Sequence, residues 1–267
     1  MTDKPKRIVL ITGASGGIGL AAAKLFFANG DRVYGLSRRP CPEEGIESIC
    51  ADVTDEAAVR NAIKTVVSRE SRLDVLVCNA GFGISGAVEF TAYADAKRQF
   101  DVNFFGTSNC IRAALPEMRR QGSGMIIVTS SVAGMLSIPF QAYYSASKAA
   151  LNSLVLATAN EVRPYGVRVA AIMPGDIKTG FTAARTKSNA GSSDYAALSK
   201  SVATMERDEQ NGMSPDVIAR CMYSVSRKRN PKPLRSVGLQ YKACCLLGKF
   251  LPCRLSNWIV GKMYASK

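Results

Sequence analysis

Histidine is absent from the 267 residues. Its absence excludes a Ser-His-Asp triad, a histidine-activated thiol and a histidine-ligated metal, so any proton transfer falls to Tyr, Lys, Asp, Glu or Cys. No apolar run approaches the roughly eighteen residues of a membrane span. The N-terminal MTDKPKR runs straight into an apolar strand, with neither a signal-peptide core nor a small-residue cleavage site. The cysteines at 41, 50, 78, 110, 221, 244, 245 and 253 make no C-x-x-C pair and no repeating framework. They are expected to be reduced side chains of a cytoplasmic protein. Acidic residues stop at Asp216. Beyond it come Arg220, Arg227, Lys228, Arg229, Lys232, Arg235, Lys242, Lys249, Arg254, Lys262 and Lys267, so the net charge of +14 is concentrated towards the C-terminus. That excess can steer an anionic cofactor or substrate, touch an anionic membrane, or aid solubility. No nucleic-acid recognition motif accompanies it, and no nucleic-acid partner is expected.

The chain is long enough for one large α/β domain, and its 47% hydrophobic and 21% charged residues are ordinary globular proportions. Apolar segments at 7–12, 32–37, 47–53, 73–81, 124–130, 167–173 and 233–239 read as strands. Helical patterns at 18–27, 55–69, 92–121, 142–163 and 214–226 alternate with them. This alternation predicts βαβ crossovers and a single doubly wound parallel sheet with helices on both faces. The expected catalytic domain spans 1–240, and 241–267 forms a C-terminal extension. No internal repeat or second domain is apparent.

The first strand is followed by GASGGIG and a helix. Gly13, Gly17 and Gly19 let the backbone turn tightly and approach a pyrophosphate, which the N-terminus of the helix attracts. The spacing is G-x-x-x-G-x-G rather than G-x-G-x-x-G. The second strand ends at Ser37, Arg38 and Arg39, with no carboxylate to take ribose hydroxyls. This favours a 2′-phosphate on Arg38, and hence NADP(H) over NAD(H), with Ser15 as a second contact.

Tyr144 and Lys148 lie four positions apart at the head of a helical pattern, and so on one face. An ammonium there is expected to lower the phenol pKa, which suits proton exchange with an alcohol oxygen. Tyr143 is five residues from Lys148 and points off that face. Ser131 precedes a loop containing Pro139 and can return to the same oxygen. The segment 180–212 follows the C-terminal end of a strand, and reads equally as a substrate lid or as a long surface loop. From Tyr241 the chain mixes apolar and basic residues, holds the single tryptophan, Trp258, and is broken by Pro252. It can cover the cleft, pack on a partner subunit or lie on a membrane surface. Packing on its own domain is the default expectation.

These motifs, in this order, resemble those of the short-chain dehydrogenases/reductases over about residues 7–240. TGASGGIG (12–19, including Ile18) is similar to the family's cofactor loop, and Asp52–Val53 falls where the family contacts adenine. CNAG resembles its N-N-A-G stretch, with Cys78 in place of the first Asn followed by Asn79, Ala80 and Gly81, a departure expected to loosen a turn beneath the cofactor. VNFFG supplies Asn103, YSASK supplies Tyr144 and Lys148, and PGDIKT supplies Pro174, Gly175, Ile177 and Thr179. The resemblance implies a Rossmann fold and hydride transfer between nicotinamide and a carbonyl or carbinol carbon, with no metal. Tyr144 is then general acid and base, Lys148 also holds the nicotinamide ribose, and Ser131 orients the substrate oxygen. Asn103 supports a water relay, and Ile177 and Thr179 anchor the carboxamide. SVAGMLSIPFQAYYSASK resembles the corresponding region of 17β-hydroxysteroid and retinol dehydrogenases, which implies a bulky apolar alcohol or ketone. A 3-oxoacyl reductase is the alternative within the class, and an NADPH-binding regulatory protein without turnover the alternative outside it. Family members usually assemble through the long helices, so a homodimer or homotetramer is expected, with peripheral membrane contact by the tail a separate expectation.

Overall fold

The apolar runs of the sequence become β1 (Ile8–Thr12), β2 (Arg32–Ser37), β3 (Glu47–Cys50), β4 (Val75–Cys78), β5 (Ile84–Ser85), β6 (Gly124–Thr129), β7 (Val167–Met173), β8 (Thr186–Lys187) and β9 (Leu234–Ser236). This computed structural model describes residues 6–188 and 190–265. Seven strands form one parallel sheet in the order β3-β2-β1-β4-β6-β7-β9, while β5 and β8 pair only with each other. Every residue of β1, β4 and β6 is buried. Such strands need cover on both faces, which explains why they read as continuous apolar runs rather than alternating ones.

The cover comes from α1 (Gly17–Ala28), α2 (Glu56–Glu70), α3 (Tyr93–Phe100), α4 (Gly106–Gln121), α5 (Ala142–Val162), α6 (Phe181–Ala184), α7 (Leu198–Gln210), α8 (Pro215–Ser226), α9 (Leu239–Phe250) and α10 (Cys253–Tyr264). Helices α1 and α8 pack together on one face, over a core that includes Val9, Ile11, Phe26 and Met222. Helices α2, α4 and α5 cover the other face, over Leu10, Leu76, Ile126 and Leu151. The Asp55 carboxylate caps α2 by accepting from Ala58 N at 2.9 Å, and the Ser214 hydroxyl caps α8 by accepting from Asp216 N at 3.2 Å. Strand order reverses between β1 and β4, and a crevice at the C-terminal ends of two such strands is where open parallel sheets bind ligands.

Three expectations change. The pattern at 92–121 is not one uniform α-helix, because Asp101–Phe105 forms a π turn between α3 and α4. An apolar repeat carries through such a one-residue insertion, which therefore leaves little trace in the periodicity. The segment 180–212 is largely structured: α6, β8 and the thirteen-residue α7 occupy it. Its sparse bulky residues suffice because Leu198, Ser201 and Met205 form the buried side of α7. Finally, β3 ends at Cys50, and Asp52 lies in a turn whose Oδ1 accepts from Thr54 N at 2.9 Å and Thr54 Oγ1 at 2.8 Å. The tail is two helices separated at Pro252, which precedes α10 as its cap residue. Lys267 lies outside the described residues.

Candidate active site

The turn after β1 leaves little room for side chains. Gly13 has φ +68°, and a Cβ there would lie 3.0 Å from Ala80 Cα. A Cβ on Gly19 would run into the Gly13 carbonyl oxygen and stand 2.6 Å from Asn79 Nδ2. Gly17, at φ +54°, faces Thr179, whose Cβ is 3.6 Å from the position a Cβ on Gly17 would take. The turn thus brings Asn79–Gly81 after β4 and Thr179 after β7 to the start of α1. That helix has neither a side-chain cap nor an acidic residue in its first turn. Backbone N–H groups and the positive end of the helix dipole are presented there, which suits a pyrophosphate. Ser15 and Ile18 are half-buried at the same turn, and Arg38 is exposed at the end of β2.

Asn79 is fixed from three directions. Its N–H donates to Thr12 Oγ1 at 2.9 Å, its Nδ2 to Thr12 O at 3.2 Å, and its Oδ1 accepts from Thr129 Oγ1 at 3.2 Å. Ala80 N also donates to Thr12 Oγ1, at 3.0 Å. Cys78 stands immediately before this turn, at the end of β4. Its side chain is buried in the core, where contact with Cys110 and burial raise its pKa. Val53 is likewise turned inward, close to Gly106, and its carbonyl accepts from Asn109 Nδ2 at 3.0 Å.

Helix α5 carries Tyr144 and Lys148 beneath Ser131, as the spacing predicted. The Lys148 ammonium is buried, donates to Thr129 O at 2.8 Å and lies 5.7 Å from the centre of the Tyr144 ring. Two of its three N–H groups are thus left for other acceptors. A Cβ on Gly81 would stand 3.7 Å from Lys148 Nζ and 3.1 Å from Asn103 Oδ1, so all three positions meet at one point. Asn103, at the centre of the π turn, is fully buried. Its Oδ1 accepts from Phe82 N at 3.1 Å, and its Nδ2 donates to Phe82 O at 3.1 Å and Ser147 Oγ at 3.2 Å. Ser147 Oγ in turn donates to Tyr144 O at 2.7 Å. Asn103 therefore ties the loop after β4 to the turn of α5 that holds Tyr144 and Lys148. Ser131 Oγ accepts from Ala133 N at 3.1 Å, which leaves its hydroxyl hydrogen to point elsewhere.

The expected lowering of the Tyr144 pKa is overturned. Burial pushes the phenol up to about 12, against a smaller opposing effect of the Ser131 hydroxyl. Glu209 and Asp176 raise it further, while Arg185 lowers it. Burial also pushes Lys148 down to about 8. Spacing placed the ammonium near the Tyr144 ring, but desolvation is the largest influence on both groups. A phenol in this state is a proton donor at neutral pH.

Several side chains that the motifs did not signal close the site. The Phe181 ring of α6 lies 5.7 Å from the Tyr144 ring. The Arg185 side chain is completely buried and pairs with Glu209 of α7, which also accepts from Thr182 Oγ1 at 2.6 Å. Tyr241 of α9 donates to Asp176 Oδ2 at 2.6 Å, and its ring occupies the space a Cβ on Gly175 would need. Asp176, partly buried, has a raised pKa because burial outweighs this bond. Pro174 O accepts from Val132 N at 2.9 Å, joining the loops after β6 and β7. Ile177 bridges to Met213, and Thr179 Oγ1 accepts from Phe181 N at 3.2 Å. Only the aromatic character of Phe181 and Tyr241 beside PGDIKT and the tail could have hinted at these contacts.

A glycine cradle at a helix N-terminus, opposite a buried lysine beside a tyrosine and a serine hydroxyl, defines a dinucleotide-dependent oxidoreductase. Residues 7–190 match the family described as short chain dehydrogenase. The chain belongs to that family and is an oxidoreductase acting on CH–OH groups with NAD(P)(H). It is 39% identical to a 3-ketodihydrosphingosine reductase of Bacteroides thetaiotaomicron over 264 residues, which cover 97% of this chain and 98% of that protein. It is 37% identical to human 17-beta-hydroxysteroid dehydrogenase type 1 over 193 residues, 66% of this chain and 58% of that one. Among solved structures, a short-chain dehydrogenase from Streptomyces avermitilis superposes with TM-score 0.84 at 30% identity, covering 97% of both chains. ElxO with NADP bound superposes with TM-score 0.75 at 28% identity, covering 90% of this chain and all of that one. A 3-ketoacyl-(acyl-carrier-protein) reductase from Brucella melitensis complexed with NADH, 23% identical, shares the fold with TM-score 0.74 over 86% of this chain and 96% of its own.

Proposed function

We propose that this chain is an NADPH-dependent reductase of a long-chain amino ketone of the 3-ketodihydrosphingosine type. The observation that carries the reading is the full-length similarity to the Bacteroides reductase, which extends through residues 180–212 and the tail. The hydroxysteroid resemblance stops short of that span. Two features of the site support it. A neutral Tyr144 is already in the protonation state that a ketone reduction consumes. Glu209 and Asp176 add to the raised pKa of that phenol, against Arg185, and so help to keep its proton in place.

The residues present fit a nicotinamide dinucleotide. Gly13, Gly17 and Gly19 would take the pyrophosphate with Ile18 beside it, while Ser15 would reach the 2′-phosphate and Thr179 the carboxamide. Asp52 and Val53 would meet the adenine, Asn79, Ala80 and Gly81 would line the floor, and Arg38 would take the 2′-phosphate. Lys148 would hold the nicotinamide ribose, and Pro174, Gly175 and Ile177 would bound the ring. When bound, the cofactor supplies the hydride. Ser131 donates its hydroxyl hydrogen to the substrate carbonyl, and Tyr144 delivers its proton to that oxygen. Lys148, at about 8, is poised to return a proton to the phenolate. Asn103 holds Phe82 and α5 in register and supports the water route to Lys148.

The exposed Phe105 and Leu156 on the α4–α5 side give a homodimer or homotetramer an apolar contact surface. The test follows oxidation of NADPH and NADH with 3-ketodihydrosphingosine in detergent micelles, a steroid ketone and a 3-oxoacyl thioester. NADPH-driven turnover of the amino ketone is expected, reduced at least about a thousandfold in Tyr144→Phe, with Arg38→Asp shifting preference towards NADH. Turnover of the steroid or thioester alone would overturn the substrate assignment. Retention of every cellular role by Tyr144→Phe would favour the regulatory alternative.

A further inference from the structure

The two tail helices bury a few side chains against the body and leave most of their large apolar ones, aliphatic and aromatic, facing out. On the inner side, Tyr241 bonds Asp176, Cys245 and Val260 are buried, and a Cβ on Gly248 would stand 2.9 Å from Leu136 Cδ2. Helix α10 packs on α7. On the outer side, Leu246, Leu247 and Phe250 of α9 and Trp258, Ile259 and Met263 of α10 are exposed, Phe250 by 79% and Trp258 by 59%. Within each helix an adjacent pair (246 and 247, 258 and 259) is followed by a residue one turn on (250, 263), so each set gathers on one side of its helix rather than scattering around it. A soluble helix normally points that stripe at the core. Lone exposed apolar residues need no explanation, but a contiguous patch of this kind marks a docking surface.

Charge identifies the occupant. Lys242, Lys249, Arg254 and Lys262 are all exposed on the same two helices. Lys242 and Lys249 share a face with Leu246 and Phe250, while Arg254 and Lys262 flank Trp258 at four-residue intervals. No acidic residue occurs after Asp216. A second copy related by two-fold symmetry would set this cationic patch against itself. Aliphatic and aromatic side chains on helices whose own charges are all cationic suit the boundary between acyl chains and anionic headgroups. Among the described residues no helix is long and apolar enough to cross a membrane, so such contact lies at the surface.

We propose that α9 and α10 dock the protein on an anionic lipid bilayer with their outward apolar stripe. The same helices rest on Asp176, Leu136 and α7, and Asp176 and Glu209 of α7 lie close enough to act on Tyr144. Docking therefore sets the mouth of the cleft against the bilayer. If the long-chain reading above holds, the substrate moves from the bilayer to Tyr144 without crossing water.

The full chain is floated with phosphatidylcholine vesicles and with vesicles also containing phosphatidylglycerol, at about 50 mM and about 500 mM salt, which changes screening of surface charge more than apolar insertion. Binding to the anionic vesicles, weakened by salt, is expected. The double variant Phe250→Ser, Trp258→Ser should bind at least about tenfold more weakly, since each side chain leaves an apolar environment. Its turnover of a short water-soluble ketone and its oligomeric mass should match the parent. Failure of the parent to float, or unchanged flotation of the variant, overturns the inference. So does a loss of oligomeric mass in the variant, which would assign the stripe to a second copy. Because turnover of the amino ketone is read in detergent micelles, loss of flotation with turnover intact defeats the docking alone. Flotation without that turnover defeats only the substrate reading.

Discussion

The Phe181 ring lies against the Tyr144 ring, with centroids 5.7 Å apart and planes at 58°. One residue belongs to the catalytic helix and the other to the short helix after PGDIKT, so an apolar flap covers the phenol. The same ring fills the space beside Gly83, where a Cβ would stand 2.8 Å from Cζ. Phe181 thus covers the Tyr144 ring, and on the function proposed above it walls the substrate cleft.

Truncating that wall should weaken substrate more than cofactor. Phe181→Ala is expected to raise KM for an apolar ketone about tenfold, in keeping with the loss of a pocket contact. Relief of desolvation should also lower the Tyr144 pKa from about 12. Steady-state kinetics with NADPH titrations check the first effect, and ultraviolet titration of the phenol against Tyr144→Phe checks the second. An unchanged KM with weaker NADPH binding would remove Phe181 from the substrate wall.

Lys148 gives stability a defined dependence on pH. Its folded pKa of about 8 lies below the ordinary 10.5, so between those values the unfolded chain binds the extra proton. Stability contributed by this group therefore rises with pH through that window, and the penalty of burying the charge is fully present below about pH 8. The shift corresponds to roughly 3 kcal/mol. Lys148→Met removes the titration but leaves Thr129 O without its donor, so the informative quantity is the slope. Urea unfolding at about pH 7.5 and 9.5 should show the parent gaining stability relative to the variant. Parallel pH profiles would show that the ammonium is not desolvated.

Two glycines in one turn should respond oppositely to the same methyl group. Gly19→Ala drives its Cβ into Gly13 O and Asn79 Nδ2, whereas Gly16 has extended backbone and nothing within 4 Å of the added carbon. Fluorescence titration should show NADPH binding weakened at least about a hundredfold in Gly19→Ala and by less than about threefold in Gly16→Ala. Thermal melts run alongside would separate loss of the cradle from loss of the fold. Equal tolerance of both changes would mean that the turn does not carry the pyrophosphate.

The sheet was legible because strands buried on both faces are written as uninterrupted apolar runs, and β2 and β7 coincide with the predicted segments. The cradle was legible because only glycine fits its backbone and its close approaches. The pairing of Tyr144 with Lys148 followed from one helical turn. What lay hidden was of a different kind. The π turn at Asn103 alters hydrogen bonding without clearly altering the apolar repeat. The contacts Arg185–Glu209 and Tyr241–Asp176 join residues 24 and 65 positions apart, a distance over which local patterns carry no information. The sign of the Tyr144 shift depends on depth of burial, which spacing does not encode.

The tail also makes the protein its own optical probe. Trp258 is the single indole in the chain and sits on the exposed stripe of α10. All tryptophan emission therefore originates at one position remote from the sheet core. Its wavelength, quenching and anisotropy report the surroundings of α10 alone, and unfolding of the sheet is followed by other signals.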